Sequence, residues 1–97
     1  MEILKMMTLT SDAIVNFFKE GKSFRDFEKE WGTKATWEQV NNDLQTWSIS
    51  IPFGSRYLRV VEEVYPHEEW VRVYWVKNNP YAFEERWDNM IYERKDA

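Results

Sequence analysis

Ninety-seven residues are the length of one domain, and a chain this short buries only about 60% of the surface it exposes when unfolded, which excludes a deep cleft between two catalytic lobes. Six Trp, five Tyr and six Phe, within 43% hydrophobic residues and only three Gly and three Pro, supply the apolar mass that a disordered tail lacks. The net charge of −4 is shared equally between residues 1–48 and 49–97, so no basic tail or acidic block concentrates a field.

Met1–Leu9 reads as a short strand joining the sheet edge or as a helical lead-in, two readings that periodicity over so few residues does not separate, and the strand is the one adopted. Its acid at position 2 and the lack of a run of seven apolar residues fit neither a signal peptide nor a membrane span, so a cytoplasmic protein is expected. Ser11-Asp12 caps a first helix over 12–20, with Ile14, Phe17 and Phe18 on one face and Gly21 as its stop. Ser23 with Asp26 resembles a capping box and opens a second helix over 24–31, striped by Phe24, Phe27 and Trp31 and closed by Gly32.

Thr36 with Gln39 repeats the capping signature, and Trp37, Val40, Leu44 and Trp47 recur at the spacing of a buried helical stripe, predicting a third helix over 37–46. From Trp47 the period becomes two: Ile49 and Ile51 alternate with Ser48 and Ser50 up to the turn cluster Pro52-Phe53-Gly54-Ser55. Arg56–Tyr65 and Trp70–Lys77 read as two further strands around Pro66-His67-Glu68-Glu69. Asn79-Pro80 then opens a last helix with Phe83, Trp87, Met90, Ile91 and Arg94 on one face; Glu84 and Glu85 stand near its start, Arg94 and Lys95 near its end. The expected fold is a single α+β domain, 1–97: three N-terminal helices, a three-stranded antiparallel β-meander and a C-terminal helix.

Helices followed by a meander, with Ser23–Trp47 reading as helix, Gly-containing turn and helix, resemble the winged helix-turn-helix domains over about half the chain. The resemblance implies a DNA-binding transcriptional regulator, with Lys34, Thr36, Glu38, Gln39 and Asn42 near the groove and Arg56 or Arg59 on the wing. Gln39 and Asn42 would face adenine edges. Charge opposes this, because duplex affinity rests on Lys and Arg, and 37–46 holds Glu38 and Asp43 but no cation.

The sheet offers a second surface. Alternation groups Tyr57, Arg59, Val61, Glu63 and Tyr65 on one face, and Trp70, Arg72 and Tyr74 on one face of the next strand, a combination on which single-stranded bases stack or a protein hot spot forms. Burial of the same stripe between covering helices is the commoner use of such residues. Trp70 and Trp75 fall on opposite faces, so one of them is expected to look away from the main core.

His67 beside Glu68 and Glu69 has no further His or Cys near it, and reads as a solvated turn with no metal. The pairs Glu62-Glu63 and Glu68-Glu69 split across strand faces. Zero cysteines exclude disulfides, thiolate zinc and thiol nucleophiles, which fits a reducing compartment. With no phosphate loop and no nucleophile paired with a base, the expectation is a protein without enzymatic activity or cofactor. It would occupy a macromolecular partner, foremost another protein, through Tyr57, Arg59, Trp70, Arg72, Tyr74 and Tyr81 with an acidic rim of Glu62, Glu63, Glu68 and Glu69. An inhibitor covering a nucleic-acid-binding surface is one form of this, since carboxylates can occupy the cations meant for phosphate. Pairing of two copies through an edge strand or the last helix would give a homodimer.

Overall fold

Helix formation begins one residue earlier than Ser11 suggests. Thr10 is extended (φ −120°, ψ 163°) and its hydroxyl accepts the Ala13 N–H, so Thr10 is the cap and α1 runs Ser11–Lys19. Ile14, Phe17 and Phe18 are its buried face. Gly21 follows at φ +90°, a conformation that side chains with a Cβ avoid, and its N–H reaches the Phe18 carbonyl at 3.0 Å. The capping box of α2, Phe24–Trp31, forms as read: the Asp26 N–H donates to Ser23 Oγ at 3.1 Å and the Ser23 N–H to Asp26 Oδ2 at 2.9 Å. Gly32 closes the helix in the left-handed region.

The computed structural model describes residues 9–77 and 89–97, and the chain divides into two units, Met1–Lys34 and Ala35–Ala97. In the first unit five rings form the core. Phe27 lies 5.0–6.5 Å, centroid to centroid, from Phe17, Phe18, Phe24 and Trp31, and Trp31 meets Phe17 edge-on at 4.8 Å.

The capping box predicts its own pH dependence. The Ser23 backbone N–H, then the Ser23 hydroxyl, hold the Asp26 carboxyl below its ordinary pKa. A lowered folded-state value means that this stabilisation is complete above the unfolded value, about 3.9, and is lost as pH falls through the folded one. Ser23→Ala is expected to cost about 1 kcal/mol at neutral pH, with the gap to the parent protein narrowing in acid, measured by denaturant midpoints at several pH values.

The second unit is an antiparallel meander of five strands in the order β1-β2-β3-β4-β5: β1 Thr36–Asn41, β2 Leu44–Phe53, β3 Arg56–Val64, β4 Glu69–Lys77 and β5 Met90–Lys95. Phe53 pairs with Arg56 across the two-residue turn Gly54-Ser55, whose first residue sits at φ +67°, as hairpin turns that match strand twist require. On one face Ile49, Val60 and Val73 align across three strands, as do Ile51, Leu58 and Trp75. The other face carries an apolar cluster of Val61, Tyr74 and Val76 with Tyr57 and Met90 packed against it. Both faces of the central strands are therefore buried, and β3 reads as a nearly continuous buried run.

Among the described residues, two helices and five strands replace the expected three helices, three strands and C-terminal helix. The predicted helix 37–46 is a hairpin: β1 turns through Asn42-Asp43 into β2, with Trp37 directly opposite Trp47. The pairing sets Trp37 and Trp47 on one face, while Leu44, three residues before Trp47 in the same strand, falls on the other, so the apolar residues that share one stripe of a helix are divided between two faces of the sheet. The decisive residues are Asn41, Asn42 and Asp43, whose short polar side chains compete for local backbone groups and favour turns; Asn41 Oδ1 accepts the Asp43 N–H at 2.8 Å. With this helix goes the helix-turn-helix resemblance, because the proposed recognition element is a strand. The predicted C-terminal helix fails over Met90, Ile91 and Arg94, which lie in β5, where Tyr92 pairs with Val73 and Arg94 with Val71. Aromatic and β-branched residues beside an open strand pair with it, and that pairing overrides a helical spacing. The rest of that prediction, including Asn79, Pro80, Tyr81, Phe83 and Trp87, lies outside the described residues, as do residues 1–8 of the predicted strand Met1–Leu9.

Candidate functional site

Cross-strand register, which sequence alternation alone does not supply, decides what the proposed binding residues do. Arg59 lies opposite Tyr74, Val61 opposite Arg72, Glu63 opposite Trp70 and Tyr57 opposite Val76, so Tyr57, Arg59, Glu63, Trp70, Arg72 and Tyr74 do share one face. That face is not open. Arg59 is 4% exposed, Arg72 6%, Glu63 and Tyr74 0%, while Tyr57 and Trp70 are half-buried.

At one end of the face the charges close on each other. Arg72 Nη1 donates to Glu63 Oε1, which also accepts the Tyr65 hydroxyl at 3.1 Å; Arg72 Nε donates to Glu93 Oε2 at 3.0 Å. The Arg72 guanidinium lies over the Trp70 ring, 4.3 Å from its centroid. Burial pulls the Arg72 pKa down, but the Glu93 and Glu63 carboxylates outweigh it and the net shift is upward. Arg59 Nη2 donates to Ser48 Oγ at 3.4 Å. Such a face cannot stack bases or anchor a partner without being opened.

The acidic rim is likewise used internally or dispersed. Glu62 projects from the opposite face to Glu63, as strand alternation requires, and is half-buried. Glu68 sits 3.3 Å from Lys95, and the Trp70 side chain, then Lys95, hydrogen-bond its carboxyl and hold it below its usual range. The Glu69 backbone pairs with Ala97 and Asp96, extending the β4–β5 ladder. Pro66 and His67 are exposed in the β3–β4 turn. Among the described residues no group of three or more His, Cys, Asp or Glu is placed to hold a metal ion, and no described helix is long and apolar enough to cross a membrane.

The residues proposed for DNA contact do not converge. Asn42 is in the β1–β2 turn and Arg56 at the opposite end of β2, a ten-residue strand of about 33 Å. Lys34 precedes the sheet, Thr36 and Gln39 lie on β1, and Arg59 is buried.

The surface that stands out was read as a core. All six residues of β1 are exposed, with Trp37 at 52% and Val40 at 36%, and among the described strands β1 has a neighbour on one side only. A β-bulge at Val40 breaks the regular register between Gln39 and Asn41. Trp37 is held by its indole N–H to Gln45 Oε1 at 3.4 Å. The turn-forming Asn-Asn-Asp was the available signal, since it makes the segment before it an edge strand and leaves its apolar residues without a covering element.

These features define a small protein with a helical pair followed by an antiparallel meander with an exposed aromatic edge strand. Compared with known protein families, curated proteins and solved structures, the chain matches none.

Proposed function

We propose that the protein is a non-enzymatic binding module that engages a protein partner along β1. The observation that carries this reading is a six-residue, fully exposed edge strand bearing a half-exposed Trp. An edge strand presents backbone N–H and C=O groups that an extended segment of a partner can complete, and alternate side chains then supply specificity. Trp is the residue most enriched at the energetic centre of interfaces, and Trp37 is already oriented by Gln45. The anchor is thus Trp37 with Val40, in place of the buried Tyr57, Arg59, Arg72 and Tyr74. Occupation of a nucleic-acid-binding surface by carboxylate mimicry draws little support, since Glu63 is spent on Arg72 and Glu68 on Lys95.

The test is affinity purification of the tagged protein from its native lysate, with and without nuclease, followed by binding measurements on whatever protein co-purifies. A stoichiometric protein that survives nuclease and binds Trp37→Ala roughly thirtyfold more weakly supports the reading, the loss expected when an interface Trp is truncated. Unchanged affinity for Trp37→Ala and for Val40→Lys would overturn it. Co-purifying nucleic acid that dissociates steeply with salt would point to phosphate recognition instead. Self-association weakened by the same substitutions would identify the partner as a second copy.

A further inference from the structure

At the other end of the sheet, away from the β1–β2 turn, the Gly54-Ser55 turn brings Arg56 over Trp75. The guanidinium carbon is 3.7 Å from the Trp75 ring centroid, and Phe53 meets Trp75 edge-on at 5.6 Å. Stacking fixes the plane of the guanidinium while leaving its N–H groups in that plane, pointing away from the ring. Arg56 is exposed and has no carboxylate partner among the described residues, although the chain holds 17 acids against 13 basic residues. Beside Arg56 and Trp75 is a cavity of about 210 Å³ lined by Ser55, Arg56, Trp75, Val76 and Asn89. The Trp75 indole supplies an apolar wall, and the bond of 3.0 Å from the Trp75 backbone N–H to the Asn89 carbonyl ties β4 to the start of β5 beside the cavity.

We propose that this cavity binds a carboxylate carried on a small aromatic or apolar body, with Arg56 as its anion-binding group. A planar fork already ordered by an indole matches the two oxygens of a carboxylate and loses little further entropy on binding. Single-anion ligands suit the chain, because its net charge of −4 repels polyanions. This site is independent of the β1 edge, since Arg56 is in β3, two strands away.

The experiment is a titration of the full chain with benzoate, followed by the Arg56 Nε–H, Trp75 indole N–H and Ser55 amide resonances, with benzamide as the uncharged isostere and phenyl phosphate as the competing oxyanion. Saturable shifts at these three groups with benzoate, at a Kd of roughly millimolar, absent with benzamide and weakened at least tenfold in Arg56→Gln, are the expected result. Arg56→Lys is expected to bind more weakly than the parent protein, because a point charge lacks the fork. No saturable benzoate shift, or equal shifts with benzamide or in Arg56→Gln, would overturn the proposal. Phenyl phosphate binding more tightly than benzoate would overturn the carboxylate assignment. Arg56 is exposed beside the turn, so Arg56→Gln is expected to stay folded, and an unchanged dispersion of the remaining resonances verifies it.

Discussion

Arg72→Met is expected to lower stability by about 3–5 kcal/mol, read as a fall in the denaturant midpoint with an unchanged slope. Small domains are held by only about 5–15 kcal/mol, so this is a large share of the whole. The cost arises less from the lost attraction than from what is left behind. Glu63 is 0% exposed, and without Arg72 its buried carboxylate loses the guanidinium that balances its charge. The companion experiment separates the two contributions. Replacing both partners, Glu63→Leu with Arg72→Met, removes the stranded charge as well as the pair and is expected to recover most of the loss. Glu93, which faces Arg72 from β5 and is exposed, can return to water, so Glu93→Gln is expected to cost under about 1 kcal/mol. A double variant no more stable than Arg72→Met would show that the pair is not the source of the effect.

Phe27→Ala is expected to cost about 3–5 kcal/mol and to abolish the helical far-ultraviolet signal of the first unit. Phe27 is 0% exposed and touches four of that unit's aromatic rings, so truncation opens a cavity in the middle of the cluster. Two helices of nine and eight residues are too short to persist in water on propensity alone. Their order depends on the shared ring cluster. Amide exchange should accelerate across residues 11–31; protection retained there in Phe27→Ala would show that the rings are not what orders the helices.

The helices were legible because their punctuation is local. Ser23 with Asp26, Gly21 and Gly32 act through neighbouring backbone groups within three or four residues, and α2 forms over the same residues that the sequence indicates. The central strands were legible for a related reason: alternation from Trp47 to Ile51, the Gly54 turn and the Pro66 interruption are each read within a few positions. The failures share one cause. At Trp37–Trp47 and at Met90–Arg94 the spacing of the apolar residues reads as helical, and a turn or a neighbouring strand overrides it. Nothing local to Met90 reveals that Tyr74 will be its neighbour.

The candidate site divides along the same line. Sequence alternation correctly grouped Tyr57, Arg59 and Glu63, and separately Trp70, Arg72 and Tyr74, but only register could merge the two sets and spend Arg72 on Glu63. The anion cavity needed Arg56 and Trp75 on paired strands, a contact between residues nineteen positions apart. What the sequence determined by itself was what neighbours along the chain decide: the two helices, the capping box at Ser23, the hairpin at Gly54, the alternation of the sheet and the absence of thiol chemistry. What the tertiary structure decided was which surfaces remain in water. Exposure depends on partners brought together by strand pairing, and so the aromatic and arginine face became interior while Trp37 and Val40, read as core, became the edge.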